Sequence, residues 1–271
     1  MQKPIKTQVE MKNQKIHLAD LYASRHILFR LVEQQLILRY RRTALGFLWT
    51  LINPLMMMSV MALVFAQLFK EDLKALAITL FAGMIPWNFF SSVVSQSTTA
   101  YINNEGLIKK IYIPKMIFPL SIACGLLIDA ALSFVALFII ILTLGGNISW
   151  ALLFLPVSFL LLFVFSFGVA LIVSIATVYF RDLQHIVLIF LQGLFFLTPV
   201  LYKPDSLSGK VVWLIDINPV TPFIALFKMP LTESIVPTEG LVLKAALITL
   251  LAISLGLFLY ARLQKKIIFR L

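Results

Sequence analysis

The chain has 271 residues, 61% of them hydrophobic and 13% charged, with a mean hydropathy of +0.97. A soluble globular domain is usually about half apolar, so this composition excludes that class and reads as an integral membrane protein. The net charge of +11 does not point to nucleic acid, because the basic residues stand at the ends of apolar runs, where they orient a membrane chain.

In lipid a backbone must satisfy its own hydrogen bonds, which leaves helices or a closed barrel. The apolar runs here are continuous rather than alternating, so an all-α fold is expected, as a single transmembrane domain over residues 1–271. Residues 1–17 form a polar tail to which no function is assigned. No short apolar core with a small-residue cleavage site precedes the first long apolar run, so that run is expected to direct insertion. From Leu18 to Tyr40, and on to residue 42, Leu21, Leu28, Leu31, Val32, Leu36 and Leu38 cluster on one helical face opposite His26, Arg30, Glu33, Gln34 and Arg41. That is the pattern of an amphipathic helix lying along the membrane surface.

Arg39, Arg41 and Arg42 then introduce the first span, 45–69, an apolar run interrupted by Pro54 and long enough for a hydrocarbon core of about 30 Å. The polar turn Lys70–Lys74 leads to a second span, 75–98, in which Pro86 is expected to kink the helix. Tyr101–Lys115 is polar, with a short helix predicted in which Leu107, Ile108 and Ile111 share a face and which Pro114 ends. A third span, 117–144, a tight turn at Gly145–Ser149, and a fourth span, 150–177, follow. Tyr179–His185 returns the chain to a fifth, short span, 183–200. Residues 201–240, together with Pro199, hold six of the twelve prolines. The apolar pieces Val211–Ile215 and Phe223–Phe227 are too short to cross, so they are expected to dip into the outer leaflet and return as reentrant helices. The sixth span is 241–260, ahead of a basic tail.

Seventeen of the 23 lysines and arginines fall on one side of this arrangement: those before Thr43, then Lys109, Lys110, Lys115, Arg181, Arg262, Lys265, Lys266 and Arg270. Six (Lys70, Lys74, Lys203, Lys210, Lys228 and Lys244) fall on the other, which places both termini in the cytoplasm. Cys124, the single cysteine, lies in an apolar run and reads as a small packing residue.

No catalytic constellation is visible. The sequence has no phosphate-binding glycine loop and no metal-spaced His or Cys set, and its three histidines lie in polar or juxtamembrane segments. Energy must then come from an ion gradient or a partner. Asp129 is the one clear acidic residue inside a span, read either as a proton-relay group or as a hydrogen-bonding link to a neighbouring helix. Aromatic faces suit a sliding glycan, and Trp49, Phe65, Trp87, Phe89, Phe90, Phe195, Phe196 and Tyr202 are candidates for such a lining. The alternative for each is core or lipid-facing packing.

Three stretches, RYRRTALGFLWTLINPLMMM from Arg39, YFRDLQHIVLIFLQGLFFLTPVLY from Tyr179 and INPVTPF from Ile217, resemble the membrane subunit of bacterial ATP-binding-cassette polysaccharide exporters. That family exports O-antigen, capsule and teichoic acid. The resemblance implies a six-span permease in the bacterial plasma membrane, acting as a homodimer with two copies of a cytosolic ATPase. ATP and Mg would be bound by that ATPase and no cofactor by this chain, and a lipid-linked glycan would pass through a channel between the two copies. It implies ATPase contacts at Arg30, Glu33, Glu105, Leu107, Ile108 and Lys109, and an outer gate around Pro199, Asn218, Pro219 and Pro222.

Arg39, Arg41 and Arg42 read either as a contact for the carrier's phosphates or as an orientation signal on anionic lipid. Arg181 and Asp182 read either as a local ion pair closing their loop or as a transmitter of motion into the fifth span. Competing functions are an ATP-driven exporter of a drug or small lipid, a membrane acyltransferase and an ion-coupled flippase.

Overall fold

The computed structural model describes residues 24–40, 45–70, 72–111, 113–143, 149–202 and 209–271. The polar tail, the part of the interface helix before residue 24, Arg41, Arg42, Pro204 and most of the Gly145–Ser149 turn lie outside the described residues. At Arg39 and Pro54 the backbone alone is described.

Among the described residues the regular structure is entirely helical: α1 (Arg25–Tyr40), α2 (Trp49–Phe69), α3 (Leu73–Ser97), α4 (Glu105–Lys110), α5 (Ile117–Thr143), α6 (Leu155–Tyr179), α7 (Leu183–Leu197), α8 (Lys210–Ile217), α9 (Thr221–Lys228) and α10 (Glu239–Arg270). Short 3-10 turns at Gly46–Leu48 and Trp150–Phe154 lead into α2 and α6, and a π-helical turn, Met229–Glu233, follows α9. Among the described residues four helical stretches are long and apolar enough to cross a membrane: Leu73–Ser97, Ile117–Thr143, Trp150–Tyr179 and Glu239–Arg270. Leu55–Leu68 and α7 are shorter apolar helices.

Helix starts follow local chemistry. The Asp72 carboxylate accepts from the Ala75 amide at 3.1 Å and caps α3, and the Ser149 hydroxyl accepts from the Ala151 amide at 3.1 Å. Pro156 and Pro222 stand in the first turns of α6 and α9, where an N–H has no helical partner to lose. Pro54 does not break its helix. Because α2 begins at Trp49, position 54 falls in the second turn, and the loss of one donor there leaves the helix continuous to Phe69.

α3 is the central element and packs against α2, α5, α6, α7 and α9. Its middle, Leu80 to Phe90, is almost wholly buried except at Asn88, which is why this run is apolar all round rather than on one stripe. α6 lies along α10 in the most extensive helix pairing of the molecule. Gly168 and Gly256 mark the crossing: a Cβ on Gly168 would come within 2.7 Å of the Ala252 carbonyl carbon and the Ile253 amide, and one on Gly256 within 2.7 Å of the Gly168 oxygen. Small residues let helix backbones approach this closely in lipid.

Three further expectations need correction. The basic tail is not a separate segment, since α10 continues without a break through Arg262, Lys265 and Lys266 to Arg270. Leu38 is 57% exposed and belongs with Phe29 and Ile37 on the outer side of α1, whose inner side is Ile27, Leu28, Leu31, Val32, Gln35 and Leu36. Ile111 does not share the buried face of α4, because the helix ends at Lys110 and Ile111 is extended and exposed.

Candidate functional site

The candidate residues collect at two opposite ends of the bundle. The first end holds α1, α4, the turn from α6 to α7 and the end of α10. α1 packs across the beginning of α5, where the Gln35 amide donates to the Ser121 hydroxyl at 3.0 Å. Gly125 gives this contact room, since a Cβ there would lie 3.1 Å from the Gln35 side-chain oxygen. Its other side is exposed and carries Arg30 and Glu33, ion-paired at 2.9 Å. With Gln34, Ile37 and Leu38 they line a shallow open depression.

α4 is anchored by Ile108, which is buried, and by Leu107, which packs half-buried against the core. Glu105 and Lys109, one turn apart, form an ion pair on its outer side. The hydrogen bond and charge of Lys109, with a smaller contribution from Arg181, hold the Glu105 carboxyl below its ordinary pKa. Arg181 therefore acts toward α4. The expected Arg181–Asp182 pair is not made: between described residues the ion pairs within 4.0 Å are Arg30–Glu33 and Lys109–Glu105. Both Arg181 and Asp182 are exposed in the turn that opens α7.

The second end holds α8, α9 and the end of α7. Each of α8 and α9 has eight residues, about 12 Å of helix, far short of a crossing. They differ in surroundings. α8 exposes Trp213, Leu214 and Ile217, whereas Phe223, Ile224, Leu226 and Phe227 of α9 are fully buried among α3, α6 and α10. The Ser158 hydroxyl of α6 donates to the Leu226 carbonyl at 3.1 Å, and the Lys228 ammonium donates to the Pro199 carbonyl at 2.7 Å.

Asn218 joins these pieces. It is 4% exposed, and its amide nitrogen donates to the Thr198 hydroxyl at 2.8 Å and the Leu197 carbonyl at 3.4 Å. Its oxygen accepts from the Val220 amide at 2.9 Å. The last bond is an Asx turn, for which Asn-Pro at 218–219 is the sequence signal. The sequence marked Asn218 but not its partner Thr198, 20 residues away. Pro199 and Pro222 are buried and Pro219 is exposed.

The aromatic candidates divide between core and surface. Trp87 is 5% exposed, and its ring lies 5.4 Å from Phe195 and 6.0 Å from Phe90. Phe90 stacks on Phe165, which stacks on Phe223, and Phe89 stacks on Phe163. These rings join α3, α6 and α9. By contrast Phe196 is 71% exposed on α7 and Trp49 is exposed at the start of α2, while Phe65, Phe195 and Tyr202 are half-buried. The Tyr202 hydroxyl donates to the Phe196 carbonyl at 3.1 Å, which ties the chain beyond α7 back to its last turn.

Short helices thus lie at one end of the bundle and helices with exposed charges at the other. Residues 27–230, three-quarters of the sequence, match the ABC-2 type transporter family. The chain belongs to the ABC-2 type transporter membrane family. Among its relatives are an O-antigen export system permease protein RfbA from Myxococcus xanthus, 32% identical over 70% of this chain and 74% of that protein, and one from Klebsiella pneumoniae, 28% identical over 73% and 77%. The polysialic acid transport protein KpsM of Escherichia coli is 26% identical over 82% of this chain and 87% of its own length. The ABC-2 match begins at Ile27 inside α1 and stops at Pro230 in the π-helical turn, so it takes in the candidate residues at both ends of the bundle and leaves α10 beyond it.

Proposed function

We propose that this chain is the permease subunit of an ATP-driven exporter that moves a lipid-linked polysaccharide across the bacterial plasma membrane. The observation that carries the reading is the family match together with relatives named for O-antigen export and polysialic acid transport. In this reading α2 and α7 complete six spans with the four long helices, both termini face the cytoplasm, and α8 and α9 form a reentrant outer gate. Two copies meet through the exposed apolar faces of α2 and α7 and enclose the channel. Energy comes from two cytosolic ATPase subunits, which hold the ATP and Mg and contact Arg30, Glu33, Glu105 and Lys109, while Ile108, buried, and Leu107, half-buried, seat α4 on the bundle instead of meeting the ATPase as the sequence suggested. Trp49, Phe65, Phe195, Phe196 and Tyr202 offer aromatic faces to the sliding glycan, and Trp87 backs Phe195 from within the bundle. Arg181, set toward Glu105, and Asp182 pass motion into α7.

The test is reconstitution of the chain with a copurifying Walker-motif ATPase in vesicles. ATP-dependent translocation of a lipid-pyrophosphate-linked oligosaccharide is expected. Translocation of lipids or drugs with the glycan ignored would replace the cargo assignment, and transport with no ATPase present would replace the energy source.

The same reading assigns Arg39, Arg41 and Arg42 to the carrier's pyrophosphate, since clustered guanidiniums match phosphate oxygens. Replacing all three with Gln is expected to cut export by about tenfold or more, as loss of charged hydrogen bonds worth roughly 1.5–3 kcal/mol each would do. Export assayed with topology checked by cysteine labelling decides this. Unchanged export would leave these residues as an orientation signal only.

A further inference from the structure

α10 is 32 residues long, about 48 Å of helix, against a hydrocarbon core of about 30 Å. Its excess emerges at the α4 end and is fastened there. The Lys115 ammonium donates to the Gln264 carbonyl at 2.5 Å, and the Met116 amide donates to the Tyr260 hydroxyl at 3.4 Å. Ile267 is fully buried, and the Arg270 guanidinium lies 4.8 Å from the Tyr179 ring centre at the end of α6.

Lys115 and Met116 belong to the strap of residues 111–116 that joins α4 to α5. Tyr260 and Gln264 are one turn apart on α10 and so share a face. The strap behind α4 is thus tied to α10 at two points. Tyr101, shortly before α4, is fully buried, and burial pushes its pKa well above the ordinary tyrosine value. Burial also draws the Lys115 pKa below that of an ordinary lysine. A half-buried ammonium depends on the carbonyl it has found, so this tie resists release. On the membrane side, α10 meets α6 through the Gly168–Gly256 crossing, where backbone touches backbone and little slack remains.

We propose that Lys115 and Tyr260 are positioning residues that carry displacement of α4 into α10 and, through the glycine crossing, into α6. The proposal rests on the reading of α4 as an ATPase contact. α4 alone has six residues and one buried anchor, Ile108. Without a rigid backing, a push on it would be absorbed by the strap.

The experiment uses the full complex of this chain with its ATPase in vesicles, a photo-crosslinker at the exposed position Lys110, and a lipid-pyrophosphate-linked oligosaccharide as cargo. Lys115→Met is expected to keep the crosslink and ATP hydrolysis while glycan exported per ATP falls about tenfold, within the 5–150-fold usual for coupling between sites. Lys115→Arg, which can still donate to the carbonyl, restores the ratio. Tyr260→Phe, which removes one hydroxyl, lowers it in the same direction and answers for Lys115→Met should that variant fail to assemble. A wild-type ratio in both Lys115→Met and Tyr260→Phe overturns the relay and leaves α4 as the ATPase contact. Loss of the ATPase from both complexes makes the ties structural and overturns the relay too. Absence of the crosslink in the unaltered complex overturns the α4 reading itself, and the relay with it.

Discussion

Gly168→Leu is expected to destroy the pairing of α6 with α10. Even a single Cβ at this position would lie 2.7 Å from two backbone atoms of α10, and backbone cannot rotate aside as a side chain can. The helices must separate, which also opens the contacts on either side of the crossing. Overpacking a close-packed interior costs about 1–3 kcal/mol and more where backbone has to shift. A rigid pairing of two long helices falls in the upper part of that range. Gly256→Leu meets the Gly168 oxygen at the same distance and should behave alike. The thermal midpoint of the detergent-purified chain measures the effect, with Gly106→Ala as the control. Nothing lies within 4 Å of a Cβ at Gly106, and a helical Gly→Ala change gains roughly 0.5–1 kcal/mol. A Gly168→Leu protein that melts with the wild type would refute the close crossing.

Asn218→Leu is expected to unfasten the region of short helices while leaving the long helices standing. The change is nearly isosteric, yet it removes the donors to Thr198 and Leu197 and the acceptor of the Val220 amide in a buried setting. A buried donor left without its partner costs about 1–3 kcal/mol. That is enough to shift a local opening equilibrium by tenfold or more while the cooperative fold persists. The expected readouts are faster protease cleavage between residues 209 and 221 and vesicles that leak small solutes, with the overall melting midpoint little changed. Thr198→Val removes only the far end of the tie and keeps the Asx turn at Asn218, so it should give a smaller effect. The double variant should be less than additive, because both changes break one bond. Additivity would show that Asn218 does not hold α7 to the α8–α9 turn.

Most of the membrane helices were legible in the sequence to within a few residues, the far end of α10 apart. The third span, expected at 117–144, is Ile117–Thr143, and the second, expected at 75–98, is Leu73–Ser97. A lipid-embedded backbone must bond within its own segment, so a long apolar run determines its conformation locally. The short pieces around 211–215 and 223–227 were equally legible as helices too short to cross, because length alone decides that. Asn-Pro at 218–219 and the short helix near Glu105 also carry local signals, a turn and a polar segment closed by Pro114.

What the sequence could not determine is which face meets which partner. Leu38 and Leu36 are two residues apart and chemically identical, yet one is exposed and the other turns inward, because α5 covers only one side of α1. Trp87 and Phe196 were equivalent as aromatic residues near polar segments, and only the packing of α3 inside the bundle separates a buried ring from an exposed one. Gly168 and Gly256 were unremarked glycines in two apolar runs until the crossing brought them together. The basic tail read as a flank because its charges end the apolar run, yet it remains helical, held by Lys115, Tyr179 and the buried Ile267. Hydrophobicity and chain length, properties of single segments, decided the membrane class and the helices. Rotation, close approach and long-range polar ties depend on pairs of segments far apart in the chain, and the tertiary structure alone decided those.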